Sequence, residues 1–143
     1  MKVQIYENKL TAAQFQELRI LSGMETLDSA MVKTALENSV VCLSAVYEER
    51  TIGMLRVVGD FSFTFVIVDV LVCPEYREMG IGSALVEHSV EVVRRLLPEG
   101  KWSTIFLVSA KGKEGFYRRI GFRKTPFGES GHGMQMFVQG GSS

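Results

Sequence analysis

An apolar run at residues 65–72, FVIVDVLV, constrains the fold of this chain more than any other feature. Its β-branched residues, interrupted only by Asp69, are typical of a buried strand. Pro74 ends the strand, because proline has no N–H to donate to a neighbouring strand. From Gly80 the apolar residues recur at helical spacing as far as Leu97, with charged residues on the other side. The chain therefore passes from a buried strand through a short glycine-containing loop into an amphipathic helix.

The loop between this strand and helix has the properties of an anion-binding site. The first amides of a helix lack internal acceptors, and the helix dipole adds positive potential there. Gly80 and Gly82 keep side chains away from the backbone, and Arg77 adds a cation. The spacing lacks the third glycine of a dinucleotide-binding fingerprint and the Gly-Lys-Ser/Thr of a P-loop. A phosphate-binding loop is therefore predicted, and the alternative is a tight turn with Arg77 on the surface.

Overall charge and composition exclude several classes of function. With 16 basic and 16 acidic residues, the 143-residue chain has a net charge of zero, which gives no basis for binding nucleic acid or membrane surfaces. Length and a 46% hydrophobic content predict one domain over residues 1–139, with a flexible tail at 140–143. Cys42 and Cys73 lie in apolar strands without metal-ligand spacing, so they predict reduced thiols of a cytoplasmic protein and no metal site. Neither a signal peptide nor a bilayer-spanning run is recognised.

Periodicity and turn signals predict the element order βααβββαβαββ, a mixed α/β (α+β) architecture. Three antiparallel strands lead into the central loop, and the helix after it crosses over to a strand at residues 103–109. A short helix at 113–120 ends at Gly121. Two last strands are predicted at 122–124 and 134–138.

Two motifs resemble those of the GCN5-related N-acetyltransferases, the GNAT superfamily. The Arg-x-x-Gly-x-Gly sequence at 77–82, after a strand that ends in Val-x-Pro, is similar to the family's acetyl-CoA-binding signature. Phe116-Tyr117, then three residues, then Gly121-Phe122 is similar to a downstream helix-and-strand segment of these enzymes. The element order matches the GNAT fold, so the resemblance covers essentially the whole chain. It implies an N-acetyltransferase, in which the primary amine of a small molecule or peptide attacks acetyl-CoA directly in a ternary complex.

The resemblance also implies roles for particular residues. Tyr117 matches a tyrosine near the sulfur of coenzyme A, where it would protonate the leaving thiolate. The alternative for Tyr117 is an aromatic side chain that packs on the sheet. The backbone N–H of Val72 would stabilise the oxyanion, and Leu71 and Val72 would pair with the pantetheine arm. The loop would hold the rest of the cofactor through Arg77, Glu78, Met79, Gly80, Ile81, Gly82 and Ser83.

Asp69 is the candidate general base for removing a proton from the attacking amine. It is a carboxylate in an otherwise apolar strand, where desolvation favours proton uptake. Glu75, or a water molecule relayed by either carboxylate, is the second candidate. Asp69 could equally be a structural hydrogen-bonding partner or face solvent.

The sequence leaves other functions open. A GNAT domain could bind acetyl-CoA and regulate a protein partner without catalysis, or it could transfer another acyl group, such as succinyl or propionyl. The neutral net charge does not select an acceptor. Small members of the family often form homodimers, and nothing in these residues decides that point.

Overall fold

Two short helices follow the first strand, and each begins at a polar capping residue. In the computed structural model, which describes residues 1–141, the first three elements are β1 (Gln4–Glu7), α1 (Ala12–Leu21) and α2 (Ser29–Glu37). The hydroxyl oxygen of Thr11 accepts from the Gln14 N–H at 3.1 Å, while the Gln14 side chain accepts from the Thr11 N–H at 3.0 Å. Asp28 accepts from the Met31 N–H at 3.0 Å. These bonds satisfy backbone donors that the first turn of a helix leaves free, and so fix where both helices begin.

The central sheet follows the predicted order through its fifth strand. Its other elements are β2 (Val41–Tyr47), β3 (Arg50–Gly59), β4 (Thr64–Val72), a 3-10 turn (Pro74–Tyr76), α3 (Ile81–Leu96) and β5 (Thr104–Leu107). The strands lie in the order β1-β2-β3-β4-β5, and every neighbouring pair is antiparallel except β4 and β5, which are parallel. A parallel pair needs a crossover, and α3 provides it. The predicted antiparallel meander and crossover helix are confirmed.

The helices cover opposite faces of this sheet. A Cβ atom added to Gly53 of β3 would lie 3.3 Å from Leu85 of α3. Arg56, three residues further along β3, instead contacts Ser39, just after α2. Because successive strand residues point to opposite faces, α2 and α3 lie on opposite sides of β3.

Helix α3 supplies much of the core, as its apolar spacing predicts. It packs on β2, β3 and β4. Its buried residues are Ile81, Leu85, Val86, Ser89, Val92 and Val93. Each large apolar side chain buried in this way contributes about 1.5–3 kcal/mol. The burial anchors the helix, and therefore the loop that precedes it.

The chain divides into two compact units, Met1–Leu107 and Val108–Ser143. The second contains α4 (Glu114–Ile120), which ends at Gly121 as predicted, with a φ of 126°. The last two residues of the tail predicted at 140–143 lie outside the described residues, and the single domain over 1–139 stays a prediction. Across residues 1–141, every helix is too short or too polar to traverse a lipid bilayer.

The two last strands, predicted at 122–124 and 134–138, are wrong. Residues 122–141 contain no strand. Met134 and Phe137 in this segment are 95% and 89% exposed. A strand needs a neighbouring backbone to satisfy its amides, and the mostly apolar side chains of residues 134–138 do not supply one. The mixed α/β fold class is confirmed, with the observed order βααβββαβα.

Candidate functional site

Strand β4 leaves its parallel neighbour at a β-bulge. Its last pair with β5 is Ile67 with Leu107. On the other side, Met54 of β3 pairs with Leu71 and Arg56 pairs with Val68, so β4 has one residue more than β3 between these pairs. A bulge of this kind bends the strand and redirects its side chains. Beyond it, β4 pairs with β3 alone among the described strands.

The side of β4 that has no neighbouring strand beyond the bulge is called the free edge. Val72 lies at its end, and its backbone groups point outward. The N–H of the next residue, Cys73, donates to Ile52 of β3 at 2.7 Å. Because the hydrogen-bonding groups of successive strand residues point to opposite sides, the N–H and C=O of Val72 face away from β3. The same alternation directs the backbone of Leu71 toward β3, where it pairs with Met54. Of the two residues predicted to pair with pantetheine, Val72 therefore offers its backbone.

Six consecutive amides follow in the loop and the first turn of α3. Within residues 1–141, the N–H groups of residues 78–83 donate to no protein acceptor. Gly80 caps the helix in the left-handed region, with φ 81°, and Glu78 also has a positive φ of 64°. Gly80 has no side chain to cap the helix, so the amides of Ile81, Gly82 and Ser83 stay available. This run of free donors at a helix N-terminus suits an anion.

Arg77 ties the loop to the end of β4. Its Nε donates to the carbonyl oxygen of Val72 at 3.2 Å. Within the described residues, its two terminal nitrogens donate to no protein acceptor, and the side chain is exposed. The predicted phosphate-binding cation therefore lies next to the predicted pantetheine-binding edge.

A second arginine, Arg50, stabilises the 3-10 turn that precedes the loop. Arg50 of β3 forms an ion pair with Glu75 at 2.6 Å, and its guanidinium lies 5.8 Å from the centre of the Tyr76 ring. Tyr76 in turn meets the edge of Tyr47, with ring centres 6.0 Å apart. The hydrogen bond from Arg50 lowers the pKa of Glu75. Glu75 is therefore a weaker base than an ordinary glutamate.

A cavity of about 460 Å³ adjoins the loop. It is lined by Met1, Val3, Ile5, Met79, Gly80, Ile81 and Ala84. The side chains of these residues are apolar, so its polar surface comes from backbone groups. The cavity thus extends the loop site toward the first strand.

Asp69, the one charged residue of β4, forms an ion pair. Its Oδ2 accepts from Arg56 Nε at 2.9 Å. The two side chains are only 22% and 18% exposed. Oδ1 of Asp69 has no protein donor within residues 1–141. The structural-partner interpretation of Asp69 is therefore favoured, and its role as a base stays a prediction.

Tyr117 belongs to the second unit, on α4. Its ring packs edge-on against Phe116 and Phe122, with ring centres 4.9 and 5.9 Å away. Burial raises the pKa of the Tyr117 hydroxyl, so it stays protonated at neutral pH. Tyr117 thus packs against aromatic side chains of its own unit, and both predicted roles, proton donor and packing on the sheet, stay predictions.

The two arginines of β3 were not among the residues predicted for the site. Arg50 and Arg56 each hold a carboxylate that had been proposed as the base, Glu75 and Asp69. A signal for Arg56 was available, since a charged residue at residue 56 interrupts an otherwise apolar strand, as Asp69 does in the next strand. To predict that Arg56 pairs with Asp69, one needs to know how the residues of β3 and β4 align. A one-residue bulge changes that alignment.

Comparisons with known proteins agree with this geometry. Residues 38–124 match the model of the acetyltransferase (GNAT) domain. GCN5-related N-acetyltransferase 1, chloroplastic, of Arabidopsis thaliana is 33% identical over 111 residues, covering 76% of this chain and 54% of that protein. The uncharacterized N-acetyltransferase ycf52 of Pyropia yezoensis is 29% identical over 104 residues, covering 70% of this chain and 58% of that protein. The chain thus spans about half the length of these relatives.

A solved structure agrees over nearly the full chain. A Staphylococcus aureus protein of unknown function, described as a probable acetyltransferase, superposes with a TM-score of 0.81 and 27% identity, over 96% of this chain and 100% of that one. The domain match contains the bulged strand, the free amides and helix α3. The chain is therefore a member of the GNAT superfamily of acetyltransferases.

Proposed function

We propose that this protein is an acetyl-CoA-dependent N-acetyltransferase that acts on a primary amine in a ternary complex. The observation that supports it most is the presence of two sets of free backbone donors, the outward-facing N–H of Val72 and the amides of residues 78–83. The pyrophosphate of coenzyme A carries negative charge and needs several donors, and its pantetheine arm contains amides that pair with a strand edge. The residues present therefore fit the cofactor.

The cofactor-binding residues have distinct roles in this proposal. The amides of Glu78, Met79, Gly80, Ile81, Gly82 and Ser83 hold the pyrophosphate, with the terminal nitrogens of Arg77 beside them. The outward edge at Val72 holds pantetheine, and Leu71 supports it through its pairing with β3. Acetyl-CoA would supply an activated thioester: the amine forms a C–N bond to the acetyl carbon, the C–S bond breaks, and coenzyme A leaves as the thiol.

Val72 and Tyr117 are assigned separate roles in this reaction. The N–H of Val72 stabilises negative charge on the carbonyl oxygen, since it is fixed by the strand and pays no reorganisation cost during reaction. Tyr117 donates a proton to the departing sulfur, for which its protonated hydroxyl is suited. Tyr117→Phe separates this role from packing, because only the hydroxyl is removed.

Deprotonation of the amine needs a carboxylate or water. Both candidate carboxylates are engaged by arginines, Asp69 by Arg56 and Glu75 by Arg50. Proton loss through a water molecule next to the free Oδ1 of Asp69 is therefore the route we propose, and direct abstraction by Glu75 is the weaker alternative.

The engaged carboxylates also favour a second candidate function, an acetyl-CoA-binding module that regulates a protein partner without turnover. A thiol-release assay with acetyl-CoA and a panel of small amines, peptide N-termini and lysine peptides discriminates the two. Amine-dependent thiol release supports the enzyme, whereas saturable acetyl-CoA binding without release on any amine supports the module. Parallel reactions with succinyl-CoA and propionyl-CoA determine the acyl preference. A homodimer and a cytoplasmic location remain predictions, tested by light scattering and cell fractionation.

A further inference from the structure

We propose that Arg56 is a positioning residue that fixes the bulge of β4 and thereby directs the N–H of Val72 to the free edge. The inference rests on the proposed function, since it concerns the edge at which acetyl-CoA would bind. None of the motifs in the sequence marks this residue.

Arg56 joins three parts of the first unit through one guanidinium group. Its Nε donates to Asp69 Oδ2 in the bulge at 2.9 Å. Its NH1 donates to the hydroxyl oxygen of Ser39 at 3.2 Å and to the carbonyl oxygen of Ala35, in the last part of α2, at 3.5 Å. Arg56 and Asp69 are both largely shielded from water, so their attraction is screened less than that of a surface pair. Arg56 thus connects the bulge of β4 to β3 and to the end of α2.

Asp69 has a strained backbone conformation, which contacts with neighbouring residues must stabilise. Its φ is 54°, in the left-handed region, which costs free energy for a residue with a side chain. The residue lies two positions after Ile67, the last β4 residue that pairs with β5. The ion pair therefore holds the strained residue at the point where β4 separates from β5.

The bulge also determines the direction of every backbone group beyond it. If β4 lost its extra residue and paired evenly with β3, the strand would shift by one position. The N–H of Val72 would then turn from the free edge toward β3, and the donor proposed for the oxyanion and for pantetheine would be lost. The bulge must therefore stay in place for the N–H of Val72 to remain available at the free edge.

The test uses Arg56→Met, which removes the charge and keeps a long apolar side chain. Arg95→Met is the matched control, because it breaks another ion pair, with Glu7 at 2.7 Å. Asp69→Asn keeps an oxygen that can accept from Arg56. For each variant, acetyl-CoA affinity is measured by calorimetry well below the melting temperature, and amide hydrogen exchange is measured across residues 68–73.

We expect Arg56→Met to weaken acetyl-CoA binding by about tenfold or more and to accelerate exchange at the amides of Leu71 and Cys73, which face β3. Asp69→Asn, which keeps the acceptor but loses the charge, should have an acetyl-CoA affinity between those of Arg56→Met and the wild type. The affinity of Arg95→Met should stay within about threefold of the wild type. Unchanged affinity and exchange in Arg56→Met, or an equal loss in Arg95→Met, would overturn the inference.

The variant could fail to fold, or the wild-type protein could fail to bind acetyl-CoA, and each case has its own test. If Arg56→Met does not fold, Arg56→Lys takes its place, because lysine keeps the charge but cannot reach all three acceptors as a planar fork. Faster exchange at the amides of Leu71 and Cys73 in that variant supports the inference, and wild-type exchange overturns it. If the wild-type protein does not bind acetyl-CoA, the proposed function fails, and the exchange comparison alone decides whether Arg56 holds the bulge.

Discussion

Arg77 Nε donates to the carbonyl oxygen of Val72 at 3.2 Å, which joins the glycine loop to the open edge of β4. One residue supplies the loop's cation, and the other supplies the backbone donor at the end of the strand. The bond places the cation proposed to bind pyrophosphate next to the strand end proposed to hold the thioester.

Substitution of Gly82 by tryptophan should weaken acetyl-CoA binding at least about a hundredfold, because the indole would occupy the space next to the free amides. Glu87→Trp is the control, since Glu87 is an exposed residue further along α3. Calorimetry measures both affinities. Wild-type affinity in Gly82→Trp would remove the glycine loop from the cofactor site.

Gly80→Ala should destabilise the protein by about 1–2 kcal/mol, because Gly80 has a φ of 81° in the left-handed region. Steric crowding is not the cause, since a Cβ atom at Gly80 would have no heavy atom within 4 Å. Gly131→Ala is the control, with equally open space and without a positive φ. Urea denaturation measures both changes. Equal stability of the two variants would contradict the strain argument.

Tyr117→Phe should lower turnover by about 10² while changing acetyl-CoA affinity little, because only the proton donor is lost. Burial raises the pKa of Tyr117 above its usual value near 10, so turnover by the wild-type enzyme should not decline through loss of this proton until the pH exceeds 10. Tyr6→Phe, an exposed position on β1, is the control. Equal turnover in Tyr117→Phe would leave Tyr117 with its packing role alone.

Glu7 should make a pH-dependent contribution to stability. Its hydrogen bonds with His88 and then Arg95 lower its pKa from the usual 4.5. A lowered pKa in the folded state means that this contribution is fully present above pH 4.5 and is lost as the pH falls through the folded value. Thermal melts of the wild type and Glu7→Gln should therefore differ at neutral pH and converge in acid. A difference that persists unchanged to about pH 2 would contradict this assignment.

Much of the fold follows from local sequence signals. Helix α3 is predictable because its buried residues recur at helical spacing, and the strand-to-loop transition is predictable because Pro74 ends the ladder. Thr11 and Asp28 similarly mark the beginnings of α1 and α2 through their own side chains.

The parts that could not be predicted depend on contacts distant in sequence. The chemistry of Asp69 is determined by Arg56, 13 residues earlier, through a register that includes a bulge. Residues 134–138 are mostly apolar, as in many strands, yet a strand forms only where another backbone accepts its hydrogen bonds. The loop site required only neighbouring residues, so its free amides could be anticipated from the sequence.

Calorimetric titration of acetyl-CoA into the wild-type protein tests the central claim most directly, with desulfo-CoA and ATP as comparisons. Saturable binding of acetyl-CoA and desulfo-CoA, without binding of ATP, is the predicted result, because the site recognises pyrophosphate together with a pantetheine arm. Absence of acetyl-CoA binding, or equal binding of ATP, would contradict the proposed cofactor site and the acetyltransferase function that depends on it.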